Sequence, residues 1–238
     1  MNRIEAREFE LDGRRVPYAL RRSGRARWIR AEIGLRTGLR VTLPAAMDLS
    51  AADAFLRSRR RWLVRVLRRY ERLAAIVPDR TLSHGSTVPF LGRDLVLDLS
   101  IGDPGVERRG ELLAVRVRRR TRGPVAALLE SWYRAEAATT FGAWARDLGA
   151  RHGLSFRKVV IGDQRSRWGT CYSNGTLSFN WRLMLAPEAV ARYLAAHELS
   201  HLAVPNHSPR FWSKVGELCP AWREAESWLK KLGASLVL

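Results

Sequence analysis

His197-Glu198-Leu199-Ser200-His201 puts two imidazoles and a carboxylate into five consecutive residues. On a helix, side chains four apart share a face, about 40° from one another at about 100° per residue, so both rings reach one metal ion. Glu198 lies roughly 60° beyond His201 on the same arc, where it faces a water on the ion without binding the ion itself. This is H-E-x-x-H, which sets two ligands and a general base around a water-activating zinc. Random placement of 5 His and 14 Glu over 238 residues yields roughly 0.006 such patterns, so coincidence is a poor explanation.

A catalytic zinc takes three protein ligands and keeps one position open for water. His207 follows His201 by six residues, past Pro205, and is the favoured third ligand; Glu217, Glu224 and Glu226 are the acidic alternatives. An imidazole suits zinc and needs no further turn of chain, which favours His207. His84 and His152 have no partner in sequence and read as surface or structural residues. Zinc would polarise a substrate carbonyl, and Glu198 would take the water's proton and pass it to the leaving amine. Tyr193, Arg165, Arg167 and Asn180 are candidate transition-state or substrate contacts, although each has an equally simple structural role. Phe211 and Trp212 read as packing that pins the His207 loop. Cys171 and Cys219 have no C-x-x-C partner and read as buried free thiols.

The catalytic pattern needs a helix, and Ala186-Pro187-Glu188 opens one that runs to about Leu202, with Pro205 beyond its end. Ser166–Tyr172 and Thr176–Trp181 form an expected hairpin about Ser173-Asn174-Gly175. Thr176–Trp181 alternates, so its edge is a place for an extended peptide to add, unless the strand is interior. Phe156–Ile161 reads as another strand, and helices are expected from about Pro209 to Glu217 and from Pro220 to Leu232. Upstream, Val16–Arg22, Trp28–Ile33 and Leu39–Leu43 read as strands, followed by a helix capped by Ser50 whose far side is lined with arginines. Thr87–Leu91, Asp94–Leu99 and Leu112–Val117 are further strands, and Val125 to Gly149 is a long helix. No internal repeat is visible in the sequence.

Composition bounds the rest. The 238 residues hold 42 Lys plus Arg, 38 of them Arg, against 23 Asp plus Glu, a net charge of +19. Residues 1–120 carry 27 basic and 14 acidic residues, whereas residues 121–238 carry 15 and 9. A basic surface suits a polyanion, but an Arg-rich solvated face explains the same charge. Two cysteines exclude a disulfide framework, and no apolar run nears the ~18 residues of a membrane span. The N-terminal stretch lacks the apolar core of a secretory signal, so a cytoplasmic location is expected, with no membrane partner.

Arg165-Ser166-Arg167-Trp168-Gly169-Thr170-Cys171, Asn180-Trp181-Arg182-Leu183, Ala186-Pro187, Tyr193, the H-E-x-x-H run and Asn206-His207-Ser208-Pro209-Arg210-Phe211-Trp212 follow one another in an order that resembles the YgjP-like metal-dependent hydrolases, a family grouped with SprT-like zincin proteases. Arg22 to Arg27, Leu91-Gly92-Arg93 and Trp132-Tyr133-Arg134 fit as well. That family often has an Asp before the Tyr193 position, where this chain has Arg192. The resemblance implies a zincin-type domain with His197, His201 and His207 on Zn2+ and Glu198 as base. The expected architecture is α+β: a basic, strand-rich region over residues 1–120, then a zincin-like metallopeptidase region over residues 121–238, helical with a short antiparallel sheet. The expected activity is zinc-dependent amide-bond hydrolysis of a peptide or protein. The competing readings are hydrolysis of nucleotide phosphoanhydrides, and a DNA-associated SprT-like protease anchored to nucleic acid by the basic region.

Overall fold

The computed structural model describes residues 4–35, 37–77, 81–164 and 166–238. It has the α+β architecture expected, and its chain divides into two compact units, Met1–Pro78 and Asp79–Leu236. This division falls earlier than residue 120, because the strands after Thr87 bury Val88, Leu95, Leu97, Leu113 and Val115 in the same core as the long helix that follows them.

In the first unit, β1 (Ile4–Leu11), β2 (Arg14–Ser23), β3 (Arg30–Gly34) and β4 (Gly38–Pro44) form a sheet in the order β1-β2-β4-β3. β1 was not among the expected strands. Its alternation is hidden by charge: Phe9 and Leu11 are buried, while Glu8 and Glu10 point outward. Helices α1 (Ser50–Ser58) and α2 (Arg60–Ile76) replace the single expected helix, with Arg59 between them. Ser50 does not cap α1; Leu49 holds that position without a side-chain bond. Leu56 and Leu63 complete a core with Phe9, Val16, Tyr18, Leu20, Leu39, Val41 and Leu43.

The second unit begins with β5 (Thr87–Phe90), β6 (Arg93–Ile101), β7 (Gly105–Arg109) and β8 (Leu112–Val117), in the order β5-β6-β8-β7. It repeats the first sheet. In each, the first two strands form an antiparallel hairpin, the second and fourth run parallel, and the third and fourth pair antiparallel. The register matches too: Tyr18 and Leu20 lie opposite Leu39 and Val41, as Leu97 and Leu99 lie opposite Leu113 and Val115. Both hairpins turn through two residues of positive φ, Asp12-Gly13 and Leu91-Gly92, as a tight right-twisted hairpin requires. The repeat missed in the sequence is thus one of topology, carried by two turns and a buried alternation.

Helix α3 (Arg122–His152) follows, ending at Gly153 in the left-handed conformation. Its Tyr133 hydroxyl donates to the Pro89 carbonyl, and its Phe141 ring stacks on Phe179 at 4.3 Å. Phe179 belongs to a second small sheet of β9 (Lys158–Gly162), β10 (Gly169–Cys171) and β11 (Thr176–Asn180), in the order β10-β11-β9. The hairpin β10–β11 is antiparallel as expected, whereas β9 joins in parallel, so the sheet is mixed. β11 is its central strand and is buried along its whole length, which removes it as a substrate edge. A 3-10 turn, Trp181–Leu185, leads to α4 (Glu188–Ser200), then α5 (Pro209–Leu218) and α6 (Trp222–Leu232). No helix among the described residues is long and apolar enough to cross a membrane.

Candidate metal centre

α4 is buried over most of its surface, by Val190, Ala191, Leu194, Ala195, Ala196 and Leu199 among others, with Glu188, Ala189 and Arg192 exposed in its first turns. His197 and His201 come from its last turn and C-cap. The chain then turns back through Leu202 and Ala203, whose amides donate to the Leu199 and Ser200 carbonyls. Pro205 stops any continuation, and Pro209 starts α5 at a position that needs no amide donor. His207, on the return segment, meets the other two rings: one ligand atom from each of the three imidazoles lies within 4.8 Å of the others. The two Nε2 atoms of His197 and His207 are 3.2 Å apart. Two nitrogens on a tetrahedral ion, at bonds of about 2.0–2.1 Å, are about 3.3 Å apart, so the donor set fits a divalent ion that favours imidazole.

The backs of the rings are held. His201 Nδ1 donates to the Val204 carbonyl at 3.3 Å, which leaves Nε2 as its free lone pair. His197 Nδ1 meets the Tyr193 hydroxyl at 3.3 Å. Phe211 is fully buried and packs on all three rings, at 4.9, 4.4 and 4.7 Å from His197, His201 and His207. Trp212 stacks on Trp222 at 4.5 Å, meets His197 edgewise and lies tilted against His207. The aromatic pair therefore does pin the His207 loop. Burial and the neighbouring imidazoles push the His197 pKa down to about 3 and lower that of His201, keeping both rings neutral and able to bind a cation.

Glu198 is 4% exposed. Burial lifts its pKa to about 7, against the pull of the Cys171 amide, which donates to it, and of the Arg167 charge. Its seat is a gap in β10: a Cβ on Gly169 would stand 2.4 Å from Glu198 Oε1 and 2.7 Å from its Cγ. Gly169 was not a predicted site residue. A glycine opening a strand reads as punctuation, and nothing local in the sequence tells that the carboxylate lies against it. A cavity of about 790 Å³ opens in front, its lining including Arg167, Gly169, Thr170, Cys171, Glu198 and the three histidines.

Of the candidate helper residues, the structure brings Arg167 to the cavity. Tyr193 is buried behind His197, on the far side of the ring from Nε2, and burial raises its pKa. Asn180 is spent on the backbone: its amide donates to the Gln164 carbonyl at 2.8 Å and its oxygen accepts from the Arg182 amide at 3.1 Å. Neither lines the cavity. Arg165 lies outside the described residues. Of the acidic alternatives to His207, Glu217 pairs with Lys214, Glu226 pairs with Lys230, and Glu224 lines a separate cavity with Leu218 and Pro220. Arg192, at the position before Tyr193, pairs with Glu188 and lies over the Trp144 ring. His84 Nδ1 accepts from the Leu99 amide at 3.2 Å, a structural role. Both cysteines are free and half-buried.

Searches of curated proteins and of solved structures return no match to this chain. A family model does match, that of the YgjP-like metallopeptidase domain, over residues 27–232. The matched span runs from the loop before β3 to the end of α6, with the three clustered histidines inside it, and the chain belongs to the YgjP-like metallopeptidase family.

Proposed function

We propose that this chain is a zinc-dependent amide hydrolase acting on peptide or protein substrates. In this reading His197, His201 and His207 hold the ion and Glu198 is the general base. The observation that carries it is the buried carboxylate and the three facing imidazoles on one cavity wall. A divalent ion there supplies Lewis acidity, lowering the pKa of water to about 7 and polarising a carbonyl. Glu198, with a proton affinity near neutrality, takes a proton from water and returns it to the departing nitrogen. The Cys171 amide and the missing side chain at Gly169 keep that carboxylate in one orientation. The Val204 carbonyl, which can only accept, holds His201 in the tautomer that presents Nε2, and the Tyr193 hydroxyl orients the His197 ring from behind. Arg167, at the cavity wall, is placed to hold a substrate carbonyl or carboxylate oxygen. β10, paired only with β11 among the described strands, turns its other edge to Glu198 and borders the cavity, which suits a substrate bound in extended form.

The test is metal analysis and hydrolysis of unfolded protein and peptides by wild type and Glu198→Gln. Glu198→Gln is expected to keep its zinc and lose about 10²–10⁴-fold in turnover. Full activity in Glu198→Gln, or undiminished zinc in His207→Ala, overturns the assignment.

A further inference from the structure

We propose that the loop joining β2 to β3, residues 24–29, is a binding site for single-stranded nucleic acid, with Trp28 stacking on a base and Arg21, Arg25, Arg27 and Arg30 meeting the flanking phosphates. The site lies wholly in the first unit and is independent of the hydrolase reading. The repeated sheet provides an internal control. The matching connection of the second unit, from Ile101 to Gly105, spans the same gap with three residues, 102–104. Residues 24–29 use six, and the longer path carries Arg25, Arg27 and Trp28. The fold does not need that length, and chain beyond what a fold needs is where binding residues gather.

Trp28 is 73% exposed, more than any other large hydrophobic side chain described. A single exposed apolar residue is ordinary by itself. Its surroundings are not: residues 21–30 contain five arginines and no acid. Arg21, Arg25, Arg27 and Arg30 are exposed, and none forms an ion pair with a described residue. Arg22 is used structurally, donating to the Met47 carbonyl at 2.5 Å. The register puts Arg21 and Arg30 in one row across the sheet, each opposite Thr42. Their neighbours Leu20 and Val41 are buried, so this row faces solvent. The loop is braced at its base, where the Ser23 carbonyl accepts from the Ala26 and Ala45 amides. A loop braced at its base, with an exposed aromatic and cations that pair with no described residue, meets a polyanion at a lower ordering cost than a free segment.

The ring decides which polyanion. Stacking requires an unpaired base, which a duplex does not offer. The arginines of α2 are more numerous but stand without an exposed ring, since Trp62 and Tyr70 are half-buried there. That face reads as solvated charge.

Anisotropy of a labelled oligothymidylate of about 16 nucleotides, titrated with the full chain, tests this. Binding is expected at low salt, with log K falling against log salt at a slope of about −3 for four phosphate contacts. Trp28→Ala weakens binding at least about fivefold, and Trp28→Phe retains most of it. Arg25→Ala and Arg27→Ala each reduce the slope by about 0.7, whereas Arg61→Ala on α2 leaves it unchanged. A Trp28→Ala chain that binds as tightly as wild type overturns the proposal, as does tighter binding to a duplex of the same length.

Discussion

The sheets β1-β2-β4-β3 and β5-β6-β8-β7 share strand order, direction and register, yet their hairpin turns serve different ends. In the first unit Gly13 meets nothing within 4 Å of where a Cβ would be, and Asp12 takes an ion pair with Arg60. In the second, the Leu91 amide donates to the Met184 carbonyl at 2.8 Å, and Gly92 rests against Pro187 at the head of α4. One copy closes its sheet and leaves the turn in solvent. The other uses the same turn to seat the helix that carries the histidines. The helix that carries two of the clustered histidines is thus oriented by a sheet that supplies none of them.

The sharpest way to separate the two units is Phe211→Ala. It removes a buried ring from the second core and from the backs of three imidazoles, and is expected to cost about 3–5 kcal/mol there. Zinc retention should fall with it, while amide hydrogen exchange in β1–β4 stays as in wild type; exchange that quickens equally in both sheets would show that the two cores unfold as one. Next in size is Gly169→Ala, whose Cβ has to displace Glu198. Turnover is expected to drop on the order of 100-fold with metal content unchanged, since misplacing a reacting group by about 1 Å costs that much. Turnover near the wild-type value would mean that the carboxylate tolerates a new seat. The smallest effect tests the turns directly. Gly13→Ala and Gly92→Ala force alanine into positive φ, at about 1–2 kcal/mol each in thermal or chemical unfolding. The two costs should be nearly equal, because a Cβ at Gly92 only reaches van der Waals contact, 3.5 Å from Pro187. A much greater cost at Gly92 would mean that the turn holds α4 more tightly than its contacts indicate.

The metal centre was legible because its geometry is local. His197, Glu198, His201 and His207 lie within eleven residues, and helical spacing with one proline accounts for their convergence. What the spacing could not reveal was long-range. Gly169 meets Glu198 across a hairpin and a helix, and Tyr193, on the same helix as His197, reads equally well as a substrate contact or as the bond behind the ring. The fold shows the same divide. β6, β8 and α3 stood out by apolar period, whereas charge masked the alternation of β1, and β7, with Glu107-Arg108-Arg109 exposed, buries no residue and has no alternation to read. Of the two readings of Thr176–Trp181 the interior one applies, and alternation alone does not decide between them, because a fully buried strand and a half-buried one differ in what covers the second face. The duplication escaped because only turn backbone and buried register repeat, and several residue types satisfy both.

The closeness of the histidines in sequence has a consequence in time. Their convergence closes a loop of only six residues, an entropic cost paid within one turn and its return. The carboxylate's seat comes from Gly169 and Cys171, nearly thirty residues upstream, through contacts that form more slowly because they span more chain. In this order of assembly the three imidazoles can converge before the Glu198 carboxylate reaches its seat, so the two halves of the site differ in when they become complete.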